Sequence, residues 1–526
     1  MNTSSALAGT GTLTRLALRR DRVMIPLWAV VTGGLVAGGV GSLEGLYGTA
    51  AERAEIAATM TANSSMRSFY GPVFGDSLGG LVAWRFGTFA AVLAAVASLM
   101  VVVRHTRDEE ETGRQEMLSA GAVGRRAPLT AALLAALALN GAVALIVTAG
   151  LAGQGAAGAL ALGLAVGGTG MLFATTAALT AQLTESARLA RGLAAAVLGL
   201  AFVLRAAGDA GTASGGSVLT WLSPFGWAEN VRAFAGERWW VLGLIGAAVL
   251  VQTAVAYALT GRRDVGASFL ATRPGPAEGR LASAGGLAWR LQRGSLLGWS
   301  LGFLLGGLVF GGMAEGAADI VGDNEQARRI FERMGGQSGL TNAFLATMVS
   351  LFGMIAALFA VGSVLRAHGE ETSGRAEPLL ANALGRTRWA AGHLVIAFGG
   401  SALILLLAGL GLTLSSGRDL GPILTASLTQ LPAVWTLAGL AVLLWGAAPK
   451  AATAAWGTAG ICLALGWIGP ALDLPQAALD LSPFGHLPKL PGQDMTWAPV
   501  LALTALAAAL VAAGLAGLRR RDLTTS

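Results

Sequence analysis

Apolar runs of about 20 residues recur along this 526-residue chain, and a run of that length with few charges is what a bilayer-crossing helix requires. In hydrocarbon every backbone N–H and C=O must be satisfied within the element, which leaves helices and closed barrels. The alternating ten-residue strands of a barrel are absent, so the runs read as helices. Charged residues make up 12% of the chain and hydrophobic residues 54%, with a mean hydropathy of +0.63. A soluble chain of this size needs about a quarter charged residues to cover its surface. The fold class is therefore an all-α polytopic membrane protein, and its many Gly and Ala residues suit helices whose backbones approach closely. The arginine-flanked apolar start at Val23 is too long for the h-region of a signal peptide and reads as the first span.

The second constraint is duplication. Glu110-Glu111-Thr112-Gly113-Arg114-Gln115-Glu116-Met117-Leu118, closing with Gly124-Arg125, returns as Glu370-Glu371-Thr372-Ser373-Gly374-Arg375-Ala376-Glu377-Pro378-Leu379, closing with Gly385-Arg386. Aligned on Glu-Glu-Thr, the second copy carries one inserted residue, Ser373. Arg19, Arg22 and Trp28 match Arg290, Arg293 and Trp299. Leu222-Ser223-Pro224-Phe225-Gly226 recurs as Leu481-Ser482-Pro483-Phe484-Gly485, and Arg262-Arg263-Asp264 as Arg520-Arg521-Asp522. Landmarks repeated in one order predict two parallel six-helix repeats: residues 1–264, a cytoplasmic linker 265–288 with Pro274 and Pro276, and residues 289–526.

Twelve spans are expected, near 23–43, 83–103, 128–150, 156–182, 190–207 and 239–260, then 294–317, 344–365, 389–414, 421–446, 451–471 and 497–518. Arginine is denser in one set of short loops, and the positive-inside rule then puts both termini in the cytoplasm. The outside segment 319–343 carries Asp323, Glu325, Arg328, Arg329, Glu332 and Arg333 around Ile330 and Phe331, a pattern that suits an amphipathic helix. The net charge of +7 follows from the inside loops and does not point to nucleic acid. Cys462 is alone and no ligand-spaced histidines occur, so neither a disulfide nor a metal site is expected. No catalytic constellation stands out.

The repeated polar loop is the leading functional candidate. Most charge runs are simply solvated, but this one is repeated and pairs a Gly-Arg hinge with Glu116-Met117-Leu118 or Glu377-Pro378-Leu379, apolar residues able to dock on a partner. The Leu-Ser-Pro-Phe-Gly segments precede the last span of each half, and Ser223, Pro224, Phe225, Ser482, Pro483 and Phe484 are candidates for an outer gate or re-entrant turn. Phe86, Phe89, Phe352 and Phe359 are candidates for a substrate path. Charges near span ends are few: Arg85, Arg205 with Asp209, and Glu315 with Asp319, all able to pair locally or snorkel. With no carboxylate at a span centre, proton coupling is disfavoured and the route reads as mostly apolar.

The loop, an acidic-Glu-x-Gly-Arg-x-Glu-x-Leu string followed by Gly-Arg and a new span, resembles the loop after the second helix of ABC-2 type ABC transporter permeases. Residues 13–22 and 288–293 are similar to that family's amphipathic helices before the first span, and the two Arg-Arg-Asp strings to its unit ends. The fused twelve-span layout looks like the actinobacterial exporters of polyketide antibiotics, the tetronasin type. The resemblance implies a bacterial plasma-membrane permease for hydrophobic small molecules, in which Glu110, Glu111, Gly113, Arg114, Glu116, Glu370, Glu371, Gly374, Arg375 and Glu377 couple to two copies of a separate ATPase. ATP and Mg would sit on that partner: neither Lys450 nor Lys489 stands in the Gly-x4-Gly-Lys-Ser/Thr pattern that cradles phosphate. Two other readings are an ion-coupled secondary transporter and a non-transporting scaffold or receptor. Reversing charge at Glu111 and Glu371 together is expected to uncouple ATP hydrolysis from transport without unfolding the protein.

Overall fold

Local sequence starts and stops the helices visibly. In the computed structural model, which describes residues 6–119, 121, 123–264, 266–270, 283–314, 339–382, 384–467 and 475–522, the chain divides into two units, Met1–Pro274 and Gly275–Ser526.

The first unit opens with the short helix α1 (Thr10–Arg20), which buries Ala17 and exposes its arginines, followed by α2 (Met24–Leu46). Thr49 and Glu52 form a reciprocal capping box at the start of α3 (Ala50–Ala62), satisfying two otherwise unpaired amides. Asn63 caps α4 (Ser64–Tyr70) and Ser77 caps α5 (Leu78–Arg104). After α6 (Arg107–Glu111) and α7 (Arg114–Ser119) come α8 (Ala127–Leu151), α9 (Ala156–Leu183) and α10 (Ala187–Gly211). The short helices α11 (Val218–Trp221) and α12 (Pro224–Asn230) lead to α13 (Trp239–Thr260). The core lies where α9 meets α5, α8 and α13, and small residues such as Ala90, Ala94, Ala136 and Ala174 bring the helices together. Gly170 is required there, because a Cβ would stand 1.8 Å from Asn140 Oδ1, whose amide donates to Ser98 Oγ at 2.7 Å.

The second unit contains α14 (Ala284–Met313), α15 (Leu340–Thr372), α16 (Glu377–Leu380), α17 (Arg386–Ser416), α18 (Leu420–Leu428), α19 (Leu431–Ala447), α20 (Ala454–Trp467), α21 (Gln476–Leu479) and α22 (Trp497–Arg520). Helices α14 and α17 pack closely, as do α19 and α22. On the latter pair a Cβ at Gly446 would lie 1.9 Å from the Gly514 carbonyl, so only hydrogen fits.

Among the described residues, eleven helices are long and apolar enough to cross a membrane. The position of the expected span 451–471 holds the fourteen-residue α20, and residues 468–474 lie outside the described set. The expected span 421–446 coincides with one of the eleven, Leu420–Ala447, which is kinked between α18 and α19. Pro432 has no N–H to give the Leu428 carbonyl and its ring clashes with it, so the first helix ends at Leu428. The expected span 344–365 runs on to Thr372, which puts Glu370 and Glu371 in the last helical turns and not in a loop. Of the amphipathic segment expected over 319–343, residues 319–338 lie outside the described set, as do Glu315 and most of the linker.

Candidate functional site

Glycines at the ends of the second long helix of each unit turn the chain. Gly113 has φ +71° and Gly374 φ +72°, the left-handed conformation that glycine adopts without Cβ strain. Each turn is then fastened by one buried carboxylate. Glu110 accepts from Arg107 Nη1 at 2.7 Å and from Arg263 Nη1 and Nη2 at 2.8 and 2.6 Å. Arg107 is itself buried and donates to the Ala181 carbonyl from Nε at 2.9 Å. In the second unit Glu371 accepts from Arg521 Nη1 and Nη2 at 2.5 and 2.8 Å and from the buried Trp445 indole at 2.7 Å.

These partners correct the alignment. Arg263 and Arg521 are the middle residues of the two Arg-Arg-Asp strings, so Glu110 corresponds to Glu371 and Glu109 to Glu370. Arg114 lies 3.7 Å from Glu109 and Arg375 lies 3.5 Å from Glu370. Arg125 donates to the Arg263 carbonyl as Arg386 does to that of Arg521. No insertion is needed: Thr112 answers Ser373, and the Glu-Glu-Thr match was a slip of one residue within an acidic run. Glu111 has no acidic counterpart, and its Oε2 accepts from the Ala187 amide at 2.9 Å at the start of α10, where the helix dipole favours an anion.

The ten loop residues thus split by exposure. Glu110, Glu370 and Glu371 are largely covered, whereas Arg114, Glu116, Arg375 and Glu377 face solvent, with Met117 72% exposed and Pro378 exposed beside them. Reversing charge at Glu371 would therefore strike packing rather than a docking face.

The Leu-Ser-Pro-Phe-Gly segments are short helical turns. Pro224 occupies the first position of α12, where its missing N–H costs nothing. Ser223 caps that helix and donates to the Ala201 carbonyl at 2.6 Å, and Ser482 reaches the Cys462 carbonyl at 3.5 Å. Phe225 is fully buried and stacks on Phe173 at 5.2 Å, and Phe484, after Pro483, is buried too. Of the path candidates, Phe86 packs against Gly39 and Phe89 against Phe69 at 5.2 Å. Phe359 meets Trp299 at 6.0 Å. Phe352 lines an open groove of about 490 Å³ with Trp299, Phe303 and Gly298.

Sequence reasoning named the Arg205–Asp209 pair but missed its burial and its partner Glu229, which together make a polar cluster at the end of the first unit opposite the 107–119 loop. Arg205 does not snorkel: its side chain is fully buried and pairs with Glu229 at 3.0 Å and Asp209 at 3.6 Å. It also donates to the carbonyls of Ser68 and Phe69 at 3.0 and 3.1 Å, while Arg67 donates to those of Asp209 and Ala210 at 3.0 and 2.8 Å. Each arginine thereby caps the carboxyl end of the other's helix, α4 or α10. Thr88 gives Glu229 a further hydrogen bond at 2.9 Å, and Arg85 sits over the Tyr70 ring at 4.3 Å. Glu229 borders a cavity of about 50 Å³ with Tyr70, Trp84, Thr88 and Arg232. A lone glutamate between spans looks solvated in sequence; the available signal was asymmetry, since Pro488 follows the second Ser-Pro-Phe-Gly where Glu229 follows the first.

Burial drives the Glu229 carboxyl well above the usual glutamate range; Arg205 opposes the shift, and the neighbouring Asp209 reinforces it, through its charge and as an acceptor for the protonated acid. A raised carboxyl pKa means the folded state binds more protons than the unfolded one between the two pKa values. Stability must then fall as pH rises through the range above the ordinary glutamate value. Thermal unfolding across pH 5 to 9 is expected to show that slope, flattened in Glu229→Gln; equal slopes would contradict it.

Long apolar helices, with the ends of the second and last tied together by buried carboxylate–arginine pairs, define a polytopic membrane protein built from two similarly fastened units. A family model described as "Multidrug efflux system permease Rv1217c, C-terminal domain" matches residues 281–519. Over 530 aligned residues the chain is 45% identical to "Multidrug efflux system permease protein Rv1217c" of Mycobacterium tuberculosis, covering 98% of this chain and 96% of that relative. The chain belongs to this family of ABC-2 type permeases: it is the permease component of an ABC-type transporter, a multi-pass protein of the bacterial plasma membrane, and not its ATPase. Family membership also removes the ion-coupled carrier and scaffold readings.

Proposed function

We propose that this permease exports hydrophobic small molecules, polyketide antibiotics of the tetronasin type among them, driven by two copies of a separate ATPase that carry ATP and Mg. The 45% identity, spread over 98% of the chain, with the relative named a multidrug efflux permease carries the reading. In it the chain has twelve spans in two parallel six-helix repeats, residues 1–264 and 289–526 joined by 265–288, with both termini in the cytoplasm. The ATPases dock on Arg114, Glu116 and Met117 and on Arg375, Glu377 and Pro378, the solvent-facing parts of the two loops. Glu110, Glu111, Gly113, Glu370, Glu371 and Gly374 hold those faces in position. Nucleotide-driven closure moves the loops because nucleotide favours one conformation over the other; equal binding to both would shift nothing. The Ser223–Phe225 and Ser482–Phe484 turns serve as the outer gate. Phe86, Phe89, Phe352 and Phe359 contribute to an apolar route.

The test is reconstitution in lipid with the proposed ATPase partner. Glu116→Lys with Glu377→Lys is expected to leave yield and melting temperature unchanged and to lower substrate-stimulated ATPase activity about tenfold or more. Wild-type stimulation in the double variant would overturn the docking assignment.

A further inference from the structure

Helix α1 carries Arg15 and Arg19 one turn apart on one face, and Arg22 follows in the turn just after the helix ends. All three are exposed, and among the described residues none has an acidic partner, whereas the neighbouring Arg20 pairs with Glu109. They line an open groove of about 520 Å³ together with Thr14, Leu18 and Leu134, the last contributed by α8. The groove therefore has a cationic rim and an apolar floor. Below it on α8, Leu134, Leu137, Ala138, Gly141 and Leu145 follow helical spacing; four are exposed and Gly141 is half-buried with open space where a Cβ would stand. The result is a strip of small and branched residues running from the arginines along an apolar helix. The groove sits at the loop end of the first unit, where the Gly124 and Arg126 amides donate to the Ala8 and Ala6 carbonyls.

We propose that this groove is a binding site for one anionic phospholipid, its phosphate held by Arg15, Arg19 and Arg22 and an acyl chain laid along Leu134 to Leu145. Guanidinium groups match phosphate geometry with paired N–H donors and are only weakly hydrated, which suits a headgroup at an interface. Arginines near an anionic surface each contribute severalfold to lipid affinity, so three acting together give roughly a hundredfold. A dissolved phosphate would use the rim and leave the apolar strip uncovered; a phospholipid uses both. The second unit lacks the set: Arg290 and Arg293 answer Arg19 and Arg22, but Gly286 stands where Arg15 would correspond, and α14 runs unbroken from its first turn into the span.

The experiment is native mass spectrometry of the full-length permease released from nanodiscs containing phosphatidylglycerol and phosphatidylethanolamine in equal amounts. Wild type is expected to retain one phosphatidylglycerol in strong preference to phosphatidylethanolamine. Arg15→Gln with Arg19→Gln and Arg22→Gln should lower that retention roughly a hundredfold. Leu134→Trp keeps every charge but fills the floor, and should lower it as well. Equal retention of the two lipids by wild type, or undiminished retention in both variants, would overturn the site. Displacement by millimolar inorganic phosphate would make it an ion site and overturn the lipid assignment. The wild-type comparison stands even if the triple variant fails to fold, and none of these outcomes bears on export.

Discussion

Arg205→Met is expected to destabilise the first unit by about 3–5 kcal/mol, because it leaves buried carboxyl groups without their cation. The loss has two parts. Glu229 and Asp209 share Arg205 as their nearest buried charge partner, and neither Glu229 Oε2 nor Asp209 Oδ2 has a hydrogen-bond donor among the described residues. The Ser68 and Phe69 carbonyls at the end of α4 also lose a donor, and a buried carbonyl left unpaired costs about 1–3 kcal/mol. Methionine keeps most of the length of the stem, so the effect reports charge and hydrogen bonding more than a cavity. Thermal unfolding of purified protein, read by fluorescence-detected size exclusion, should show a clear fall in melting temperature. Adding Asp209→Asn and Glu229→Gln should return part of it, since the uncompensated charge goes and only the capping bonds stay lost. An unchanged melting temperature in Arg205→Met would mean that the cluster does not hold the unit together, whatever its geometry.

Membrane character was legible because run length marks a spanning helix, and the repeated strings pointed to the two glycine turns that a buried carboxylate fastens. Local punctuation was partly legible. Pro432 is a plain helix stop, yet inside a run with no charges between Leu420 and Ala447 hydropathy outweighs it and the break is lost. The slip at Glu110 and Glu371 has a different cause. In an acidic run several registers score alike, and only the distant arginines that bind these carboxylates, Arg263 and Arg521, select one. Burial was the least legible property. Glu229, Glu371 and Glu116 are the same residue type in similar polar surroundings of the chain. Yet one closes a buried ion cluster, one anchors a helix end and one faces solvent. Sequence spacing shows which residues can meet along one helix, but these partners come from segments up to 153 residues away.

The same distinction makes the second large effect specific. Glu371→Lys is expected to cost at least about 3–5 kcal/mol, because it sets a second cation beside Arg521 in a place where the native side chain is fully covered. Trp445 would also lose the acceptor of its buried indole N–H, held at 2.7 Å. Glu377→Lys, six residues on and exposed, should leave the stability within about 0.5 kcal/mol of wild type, as surface substitutions usually do. A double-mutant cycle separates the strut from general damage. Glu371→Gln and Arg521→Gln, singly and together, should show a coupling energy of about 0.5–3 kcal/mol, as for residues sharing one ion-pair network. Glu110 with Arg263 should behave alike, with Arg107 as a second partner that softens the loss of Arg263. Zero coupling in both cycles would dissolve the equivalence between the two turns. Coupling in both would establish that each unit fastens its loop to its final helix, so that a push on either loop reaches that helix through a charged contact.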